Sequence, residues 1–320
     1  MSQVLDVRND ERPAMLAVLP HYGAALSTLE AIQSLRDQEY ERLVILVLDN
    51  SDGSGGEKLD GLDLPTDVEL VSPGHNLGYC AAINRGLDRC LERDISFICL
   101  VNTDVRIEPD CLARLIEALE SRPLVAGVGP LLTTSQGTRV WSAGSNLRFG
   151  PNEIAHRAHG RPSSMAPDRP ASVDFIPGAL ALYRVASLQK LGGLDESYFM
   201  YCEDVDLGLR LTAGGQGLLY LPWARAEHHG TGSSGGGASP LRKFLMGVNT
   251  PRFLRRAGSF RLWVSFLLFD LLGWFPAFLL YLVRPRRLRA HIAKGRGMML
   301  GLTGYRPGVR DVDHYLGEGA

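Results

Sequence analysis

The stretch that decides the fold is AMLAVLPHYGAALSTLEAIQSLRDQEYERLVILVLDNS, residues 14–51. Two short runs of apolar residues, Ala14–Leu19 and Leu43–Leu48, enclose Ala24–Gln38, in which apolar residues recur three and four positions apart. This spacing predicts an amphipathic helix between two buried strands. A strand, a helix and a second strand in this order indicate parallel strands joined by a helical crossover.

The same alternation continues through the first 130 residues. Apolar runs predict further strands at Val68–Val71 and Ile95–Val101. Helical spacing predicts helices at Leu77–Arg93 and Pro109–Ser121. The sequence therefore predicts an α/β protein with a doubly wound, mainly parallel sheet flanked by helices, and ligands are expected at the carboxyl ends of its strands.

The later part of the body has a weaker pattern. Val173–Tyr183 and Gly217–Leu221 have strand character. Thr133–Ser172 is rich in Gly, Pro, Ser and Arg, which predicts surface excursions with little regular structure. Residues 230–240, GTGSSGGGASP, predict a flexible loop.

The glycine-rich segment after the second predicted strand carries neither of two common nucleotide-binding motifs. Gly53, Gly55 and Gly56 follow a predicted strand but do not form GxGxxG, and GxxxxGK[ST] does not occur. Dinucleotide-dependent oxidoreductases and P-loop NTPases are therefore disfavoured.

The charges are divided unevenly along the chain. The whole sequence has a formal net charge of −1, which argues against a nucleic-acid partner. From residue 241 onward there are 14 Lys and Arg residues but only four acids, a net charge of +10. The first 240 residues hold 20 basic and 31 acidic residues, a net charge of −11. The chain is thus an acidic body with a basic tail.

The cysteines and the start of the chain predict a cytoplasmic protein. The five cysteines form no CxxC pair and no zinc-type spacing, so we expect them to be reduced and buried. The first residues, MSQVLDVRNDERP, are polar and contain no signal peptide, and residues 1–13 are predicted to be a mobile leader.

The tail contains a long apolar segment. Phe260–Val283 is long enough to cross a bilayer, but Asp270, Gly273 and Pro276 interrupt it, and basic residues flank it on both sides. We expect a kinked helical pair lying in the interface of the cell membrane, on its inner face. The alternatives are a helix buried on the body or on a second subunit, as in a homo-oligomer formed through the tail, and a single spanning helix.

Polar residues directly follow two predicted strands. Asp49 can accept hydrogen bonds from a nucleotide base or a ribose, although Asp-Asn-Ser-Asp-Gly is also turn chemistry. Asn102 and Asp104 stand where a divalent cation bridging two phosphates can be held, although a helix cap is the alternative.

Two further clusters carry titratable groups. Glu203, Asp204 and Asp206 lie within four residues of one another beside aromatic residues, which suits a general base with a raised pKa. Structural roles remain open, because acids favour a helix N-terminus and Asp206 can pair with Arg210. The histidine pair at residues 228 and 229 can supply a metal ligand. The alternative is that the two side chains are solvated or cap a neighbouring element.

These motifs, in this order, resemble glycosyltransferase family 2, in particular its bacterial rhamnosyltransferase-like members with a GT-A fold. The most specific segment, GGLDESYFMYCEDVDLGLRL (Gly192–Leu211), is similar to the pattern GGFDE-x-FF-x-Y-x-ED-x-DL-x-x-R. HNLGYCAAINRG (His75–Gly86), VLDNSDGS (Val47–Ser54) and IPGALALYR (Ile176–Arg184) also resemble family segments. The resemblance covers roughly residues 14–235.

The resemblance implies roles for individual residues. It implies that Asp204 is the catalytic base and that Glu203 and Trp223 contact the acceptor. It implies that Asp104 and His228 bind Mg²⁺ or Mn²⁺, with the neighbouring histidine as an alternative ligand. The residues implied for the nucleotide-sugar pocket are Pro20, Tyr22, Asp49, Asn76, Gly78, Asn102 and Asp104.

The resemblance also implies an activity and a domain organisation. The expected reaction is an inverting transfer of a sugar from a dTDP- or UDP-linked donor, with dTDP-rhamnose first, to a glycan or a polyprenyl-diphosphate-linked saccharide in cell-envelope polysaccharide assembly. The expected parts are the leader at residues 1–13, a GT-A domain at residues 14–240 and a membrane-associating helical tail at residues 241–320. The rival functions are a non-catalytic nucleotide-sugar-binding or scaffold protein and a glycoside hydrolase with paired carboxylates.

Overall fold

The structure is a computed structural model that describes residues 13–51, 56–134, 136–151, 154–230 and 239–317. The leader predicted for residues 1–13 lies outside these ranges except for Pro13. Residues 231–238, most of the predicted glycine-rich loop, also lie outside them.

The centre of the protein is a ten-stranded sheet. Across its width the strands are β10 (Ala171–Ser172), β12 (Gly217–His228), β6 (Val125–Thr134), β11 (Leu180–Arg184), β4 (Phe97–Val101), β1 (Met15–His21), β2 (Leu43–Asp49) and β3 (Val68–Val71). Two short strands extend it: β5 (Val105–Ile107) pairs with β12, and β7 (Arg139–Ser142) pairs with β6. A separate hairpin consists of β8 (Ser145–Leu147) and β9 (Ile154–His156).

The long strand pairings are parallel. β1 pairs in parallel with β2 and β4, β2 pairs with β3, and β6 pairs with β12, whereas β11 is antiparallel to β4 and β6. Every residue from Met15 to Leu19 is fully buried, as expected for a continuous apolar strand covered on both faces. The predicted α/β class with a mainly parallel sheet is confirmed.

Helices cover both faces of the sheet. α1 (Ala25–Arg36) and α3 (Cys111–Glu120) contribute their buried residues to the core on one face. α2 (Tyr79–Glu92), α4 (Val185–Leu191) and α5 (Glu203–Ala213) contribute theirs to the core on the other face.

Three segments differ from the predictions. Thr133–Ser172, predicted to be irregular, contains β7, the β8–β9 hairpin and β10. The strand predicted at Val173–Tyr183 is reduced to β11, because Pro177 lacks the N–H that a central strand donates. The strand predicted at Gly217–Leu221 continues to His228 through a β-bulge between Leu221 and Arg225.

The C-terminal region is helical. Its elements are α6 (Pro240–Ala257), α7 (Phe260–Ser265), a π-helical segment (Phe266–Leu272), α8 (Trp274–Tyr281), α9 (Pro285–Leu302) and α10 (Val309–Gly317). α6 packs on the body, because Phe253 and Leu254 are buried in the same core as β1. α6 and α9 lie in backbone contact: a Cβ atom at Gly297 or Gly301 would stand 2.3 Å from a carbonyl oxygen of α6.

One helical stretch of the described residues, Phe260–Tyr281, is long and apolar enough to cross a membrane by length and composition. It holds 22 residues with a mean hydropathy of 1.8. Asp270, the acid in its middle, forms an ion pair with Lys294 of α9. The stretch is also tied to α9 by Trp274, whose Nε1 donates to the His291 carbonyl (3.1 Å).

Candidate functional site

A cleft of about 630 Å³ opens at the carboxyl ends of β1 and β4. This is the side of an open α/β sheet where ligands bind. The residues predicted from the sequence that line it are Pro20, Tyr22, Asn76, Gly78, Asn102, Asp104, Glu203, Asp204 and His228. The structure thus brings together residues separated by more than 200 positions, while their individual roles stay predictions.

The turn before α2 forms one wall of the cleft. Asn76 Oδ1 accepts a hydrogen bond from the Gly78 N–H (2.9 Å), and Asn50 Nδ2 donates to the Gly78 carbonyl (3.2 Å). Gly78 has φ 80°, and a Cβ atom there would lie 2.6 Å from the Phe199 ring, so a larger residue does not fit. Because of this turn, α2 begins at Tyr79, two residues later than predicted.

Two predicted residues lie outside the cleft wall. Asp49 is 2% exposed, and its carboxylate accepts hydrogen bonds from Ser51 N (2.9 Å) and Leu59 N (3.2 Å). It organises the loop after β2, the turn role that the sequence left open, and its neighbour Asn50 lines the cleft instead. Trp223 stands in the bulge of β12 and is 39% exposed, so its position lends no support to an acceptor contact.

The pairing of β5 with β12 brings the predicted metal ligands together. His228 pairs with Val105, and its Nε2 lies 3.4 Å from Asp104 Oδ1. Burial lowers the pKa of His228 more than the nearby Asp104 raises it, which favours the neutral ring, the form that binds metals. The side chain of His229 is 41% exposed and lies 3.8 Å from Glu227, which favours His228 as the ligand.

Asp104 and His228 could hold a cation only together with other ligands. Among the described residues, no group of three or more His, Cys, Asp or Glu side chains converges as a metal cage. Mg²⁺ and Mn²⁺ commonly bind one or two protein groups and take their remaining ligands from substrate phosphates and water. The Asp104–His228 pair suits that kind of site.

Trp141 packs against His228 in the wall of the cleft. Its ring centroid lies 4.3 Å from that of His228 and 4.5 Å from that of His156. His156 contacts Ser145 Oγ through Nδ1 (2.7 Å), and burial lowers its pKa to about 4. Trp141, His156 and His159 all line the cleft. The sequence did not reveal them, because they belong to the segment predicted to lack regular structure.

The acidic cluster forms the start of α5 and another part of the wall. Asp204 Oδ1 accepts from the Val205 N–H (2.9 Å), and Oδ2 accepts from the Gly178 N–H (3.3 Å). Glu203 Oε2 is buried without a hydrogen-bond partner in the part of the chain that the structure describes. Burial raises the pKa of Asp204, and burial together with the charge of Asp204 raises the pKa of Glu203. Carboxylates with raised pKa values are suited to accept a proton near neutral pH.

The third acid of the cluster is structural. Asp206 is fully buried and accepts hydrogen bonds from Arg210 Nε (2.8 Å) and the Tyr198 hydroxyl (3.1 Å). The predicted pairing with Arg210 is therefore confirmed. Arg256 of α6 donates to both carboxylate oxygens at 3.0 Å, so Asp206 joins α5 to the C-terminal region.

The C-terminal region also reaches the cleft. Leu241 and Arg242 of α6 and Val312 of α10 line it. The Arg242 guanidinium lies 5.8 Å from the centre of the Tyr201 ring, and its Nε is buried without a hydrogen-bond partner among the described residues. A cation in the first turn of a helix is electrostatically unfavourable, so the position of Arg242 after the glycine-rich loop was a signal for an anionic ligand.

Comparison with known proteins decides the family. The profile of Glycosyl transferase family 2 matches residues 17–192, more than half of the chain. The chain is a family 2 glycosyltransferase. The family and enzyme class predicted from the sequence are confirmed.

Relatives of this glycosyltransferase include rhamnosyltransferases. It is 30% identical over 215 residues to N-acetylglucosaminyl-diphospho-decaprenol L-rhamnosyltransferase of Mycobacterium tuberculosis. The match covers 61% of this chain and 69% of that protein. It is 44% identical over 57 residues to rhamnosyltransferase WbbL of Escherichia coli, covering 18% of this chain and 22% of that protein.

Solved structures confirm the GT-A glycosyltransferase fold. Mannosyltransferase PcManGT from Pyrobaculum calidifontis, in complex with GDP-Man and Mn²⁺, superposes with a TM-score of 0.54 at 13% identity, covering 92% of this chain and 88% of that one. GalNAc-T7 with UDP, GalNAc and Mn²⁺ superposes with a TM-score of 0.55 at 12% identity. That match covers 83% of this chain but only 58% of GalNAc-T7.

Proposed function

We propose that this glycosyltransferase moves a sugar from a nucleotide diphosphate sugar to a hydroxyl of a lipid-linked saccharide or glycan, with inversion at the anomeric carbon. The observation that carries the proposal is that Asp204 lines the same cleft as Asp104 and His228. A donor and an acceptor bound together in this cleft would thus meet both a base for the acceptor hydroxyl and a binding site for the departing diphosphate. The names of the two rhamnosyltransferase relatives support rhamnose as the sugar. The proposal keeps dTDP or UDP as the nucleotide of the donor.

Asp204 carries the acid–base chemistry in this proposal. Its carboxylate removes the proton of the acceptor hydroxyl, and the acceptor oxygen attacks the anomeric carbon from the face opposite the nucleotide diphosphate. The bond from the anomeric carbon to the diphosphate oxygen breaks, and the electron pair leaves with the diphosphate. Glu203 lies beside the base and contacts the acceptor.

Asp104 and His228, which line the same cleft, fit a divalent cation, Mg²⁺ or Mn²⁺. Asp104 would offer the cation a carboxylate oxygen and His228 a ring nitrogen, and these two atoms lie 3.4 Å apart. When bound, the cation stabilises the negative charge that develops on the departing diphosphate. Arg242 supplies a further positive charge to the same cleft.

We expect His228→Ala to lower the affinity for Mn²⁺ in the presence of a nucleoside diphosphate by at least roughly 10–100-fold, the loss caused by removing even an outer partner of a metal ligand. Isothermal titration of Mn²⁺ measures the change, and EDTA should stop turnover of the wild-type protein. His229→Ala decides between the two histidines. If that variant loses Mn²⁺ binding and His228→Ala keeps it, the ligand is His229.

We propose that the C-terminal region binds the inner face of the cell membrane, where a polyprenyl-diphosphate-linked acceptor would be met. Leu272 and Phe275 are 65% and 63% exposed on the apolar stretch Phe260–Tyr281. The exposed basic residues directly after this stretch are Arg284, Arg286, Arg287 and Arg289. Exposed apolar side chains beside arginines suit an interface with anionic lipids.

The packing of the apolar stretch supports an interfacial position over a spanning one. Ser265 Oγ accepts a hydrogen bond from the Gly150 N–H (2.9 Å), which ties the start of the stretch to the body. Its far end leads into α9, which packs back on α6 and carries five of the tail's basic residues. If the apolar stretch crossed the membrane, α9 would have to cross it again to reach α6. A helix with five basic residues does not cross a hydrocarbon core.

Membrane binding has a direct test. We expect the double variant Leu272→Asp/Phe275→Asp to lose at least about 100-fold in affinity for phosphatidylglycerol vesicles, because each side chain contributes roughly 1.5–3 kcal/mol when buried. Vesicle sedimentation measures it. Leu124→Asp is the matched control, since Leu124 is 78% exposed on the body. Wild-type-like sedimentation of the double variant, or no sedimentation of the wild type, contradicts the proposal.

A donor panel tests the function itself. dTDP-, UDP- and GDP-sugars are each incubated with polyprenyl-diphosphate-linked N-acetylglucosamine, and release of the nucleoside diphosphate is measured. We expect release that depends on the acceptor and a product with inverted anomeric configuration by NMR. Cleavage of a glycan without any nucleotide sugar would indicate a glycoside hydrolase, and binding without turnover of any donor would indicate a non-catalytic protein.

A further inference from the structure

The loop that leads into Glu203 and Asp204 has an unfavourable backbone conformation. Phe199, Tyr201 and Cys202 have φ values of 60°, 71° and 69°. Residues other than glycine rarely adopt this left-handed region, so the surroundings must hold the loop in place. The loop also forms part of the cleft, because Phe199, Met200 and Tyr201 line it.

Asn249 of α6 binds the carbonyl groups of this loop. It is fully buried, and its Nδ2 lies 2.9 Å from each of the carbonyl oxygens of Tyr198, Met200 and Tyr201. The two N–H groups of Nδ2 are therefore shared among three acceptors. Three carbonyl groups can point at one donor only when the backbone bends around that donor. The positive φ values of Phe199, Tyr201 and Cys202 produce this bend.

A second contact fixes the orientation of the Asn249 amide. Arg252 Nη1 donates to Asn249 Oδ1 (2.9 Å) and to the Ser197 carbonyl (2.7 Å). The oxygen of the amide is thus turned toward the arginine, and the nitrogen is turned toward the loop. The other side of the loop is also held, because the Phe199 carbonyl accepts from the Tyr79 N–H at the start of α2 (2.7 Å).

We infer that Asn249 is a positioning residue for catalysis: from the C-terminal region it holds the loop 199–202 in the conformation that presents Glu203 and Asp204 to the cleft. The inference rests on the proposed role of Asp204 as the base. The C-terminal region would then contribute to catalysis as well as to membrane binding, and the two roles would be independent of each other. The loop relaxes when the amide donors are lost, and the carboxylates move relative to the bound donor.

The test compares Asn249→Asp with Asn249→Ser. Aspartate keeps the size of the side chain but turns acceptor oxygens toward three carbonyls, whereas serine keeps one donor. We expect Asn249→Asp to lower kcat by about 100-fold, the effect of a misplacement of about 1 Å, with the dissociation constant of the nucleotide donor unchanged. We expect Asn249→Ser to retain more activity than Asn249→Asp.

Arg255→Ala is the matched control for tail packing. Arg255 lies on the same helix and donates to the carbonyls of Gly301 (3.0 Å) and Leu302 (2.5 Å) in α9, away from the loop. We expect it to lower the melting temperature and to keep kcat. If Asn249→Asp does not fold, the comparison of Asn249→Ser with Arg255→Ala at matched melting temperature decides the question.

The outcomes separate the two proposals. Wild-type kcat in Asn249→Asp, or in Asn249→Ser where the aspartate variant does not fold, overturns the positioning role. Equal losses of kcat in the asparagine variants and in Arg255→Ala also overturn it, because they indicate general loosening of the tail. Asp204→Asn is measured in parallel: if that variant is fully active, the proposed base is wrong, whatever Asn249 does.

Discussion

Asp204→Asn is expected to lower kcat by roughly 10²–10⁴-fold and to leave the dissociation constant of the donor nearly unchanged. The amide has the shape of the carboxylate and can still accept a hydrogen bond from the backbone N–H of Gly178 or Val205. It cannot take up the proton of the acceptor hydroxyl. The loss should therefore appear in turnover, measured with saturating donor and acceptor, and not in donor binding.

The pH profile gives a second readout of the same residue. Because burial raises the pKa of Asp204, its base form is lost as the pH falls through a midpoint above the usual range of an aspartate. The kcat of the wild-type protein should fall along with it, and the residual rate of Asp204→Asn should lack this acidic limb. If Glu203→Gln removes the limb and Asp204→Asn keeps both the limb and the rate, Glu203 is the base.

Asp206→Ala is expected to lower the free energy of unfolding by about 3–5 kcal/mol, the cost of removing one partner of a buried ion pair. The carboxylate is fully buried and receives hydrogen bonds from Arg210, Arg256 and Tyr198. Its removal leaves a cavity and takes away the counter-ion of Arg210, while Arg256 keeps its ion pair with Asp195. Urea unfolding followed by circular dichroism measures the difference.

A surface pair provides the comparison for Asp206. Asp110 and Arg114 are also an acid and an arginine four residues apart on a helix, but their side chains are 37% and 43% exposed. Asp110→Ala should cost only about 0.3–0.5 kcal/mol. If the two alanine variants lose similar stability, Asp206 does not join α5 to the C-terminal region in the way its contacts indicate.

Local patterns in the sequence were sufficient for the first half of the sheet. The segments around β1, α1 and β2 were predicted because an apolar run and a helical spacing each depend only on neighbouring residues. The carboxyl ends of parallel strands meet at one edge, and Tyr22 and Asp104, which the family resemblance assigned to one pocket, both line the cleft there. Asp49 shows the limit of this reasoning, because the pattern does not say which residue at the end of a strand faces the ligand. The next residue, Asn50, lines the cleft, and Asp49 does not.

Contacts between distant segments could not be read in this way. Trp141 packs on His228 across 87 positions, and Arg256 reaches Asp206 across 50. Neither partner lies in a pattern that points to the other. The C-terminal region was read as a membrane tail because its composition is basic and apolar. Asn249 is an ordinary polar residue in that stretch, and only its three-dimensional neighbours relate it to the cleft.

The backbone contact between α6 and α9 divides the tail into two surfaces that should differ in their tolerance of mutation. A methyl group at Gly301 would meet the Val248 carbonyl oxygen at 2.3 Å, so even alanine forces the helices apart. Asn249 follows Val248 directly, and the displacement would be passed to it. The outward side chains around Leu272 need only be apolar. Random mutagenesis should therefore recover many substitutions among the exposed apolar residues around Leu272. It should recover almost none at Gly297 and Gly301, where α9 contacts the backbone of α6.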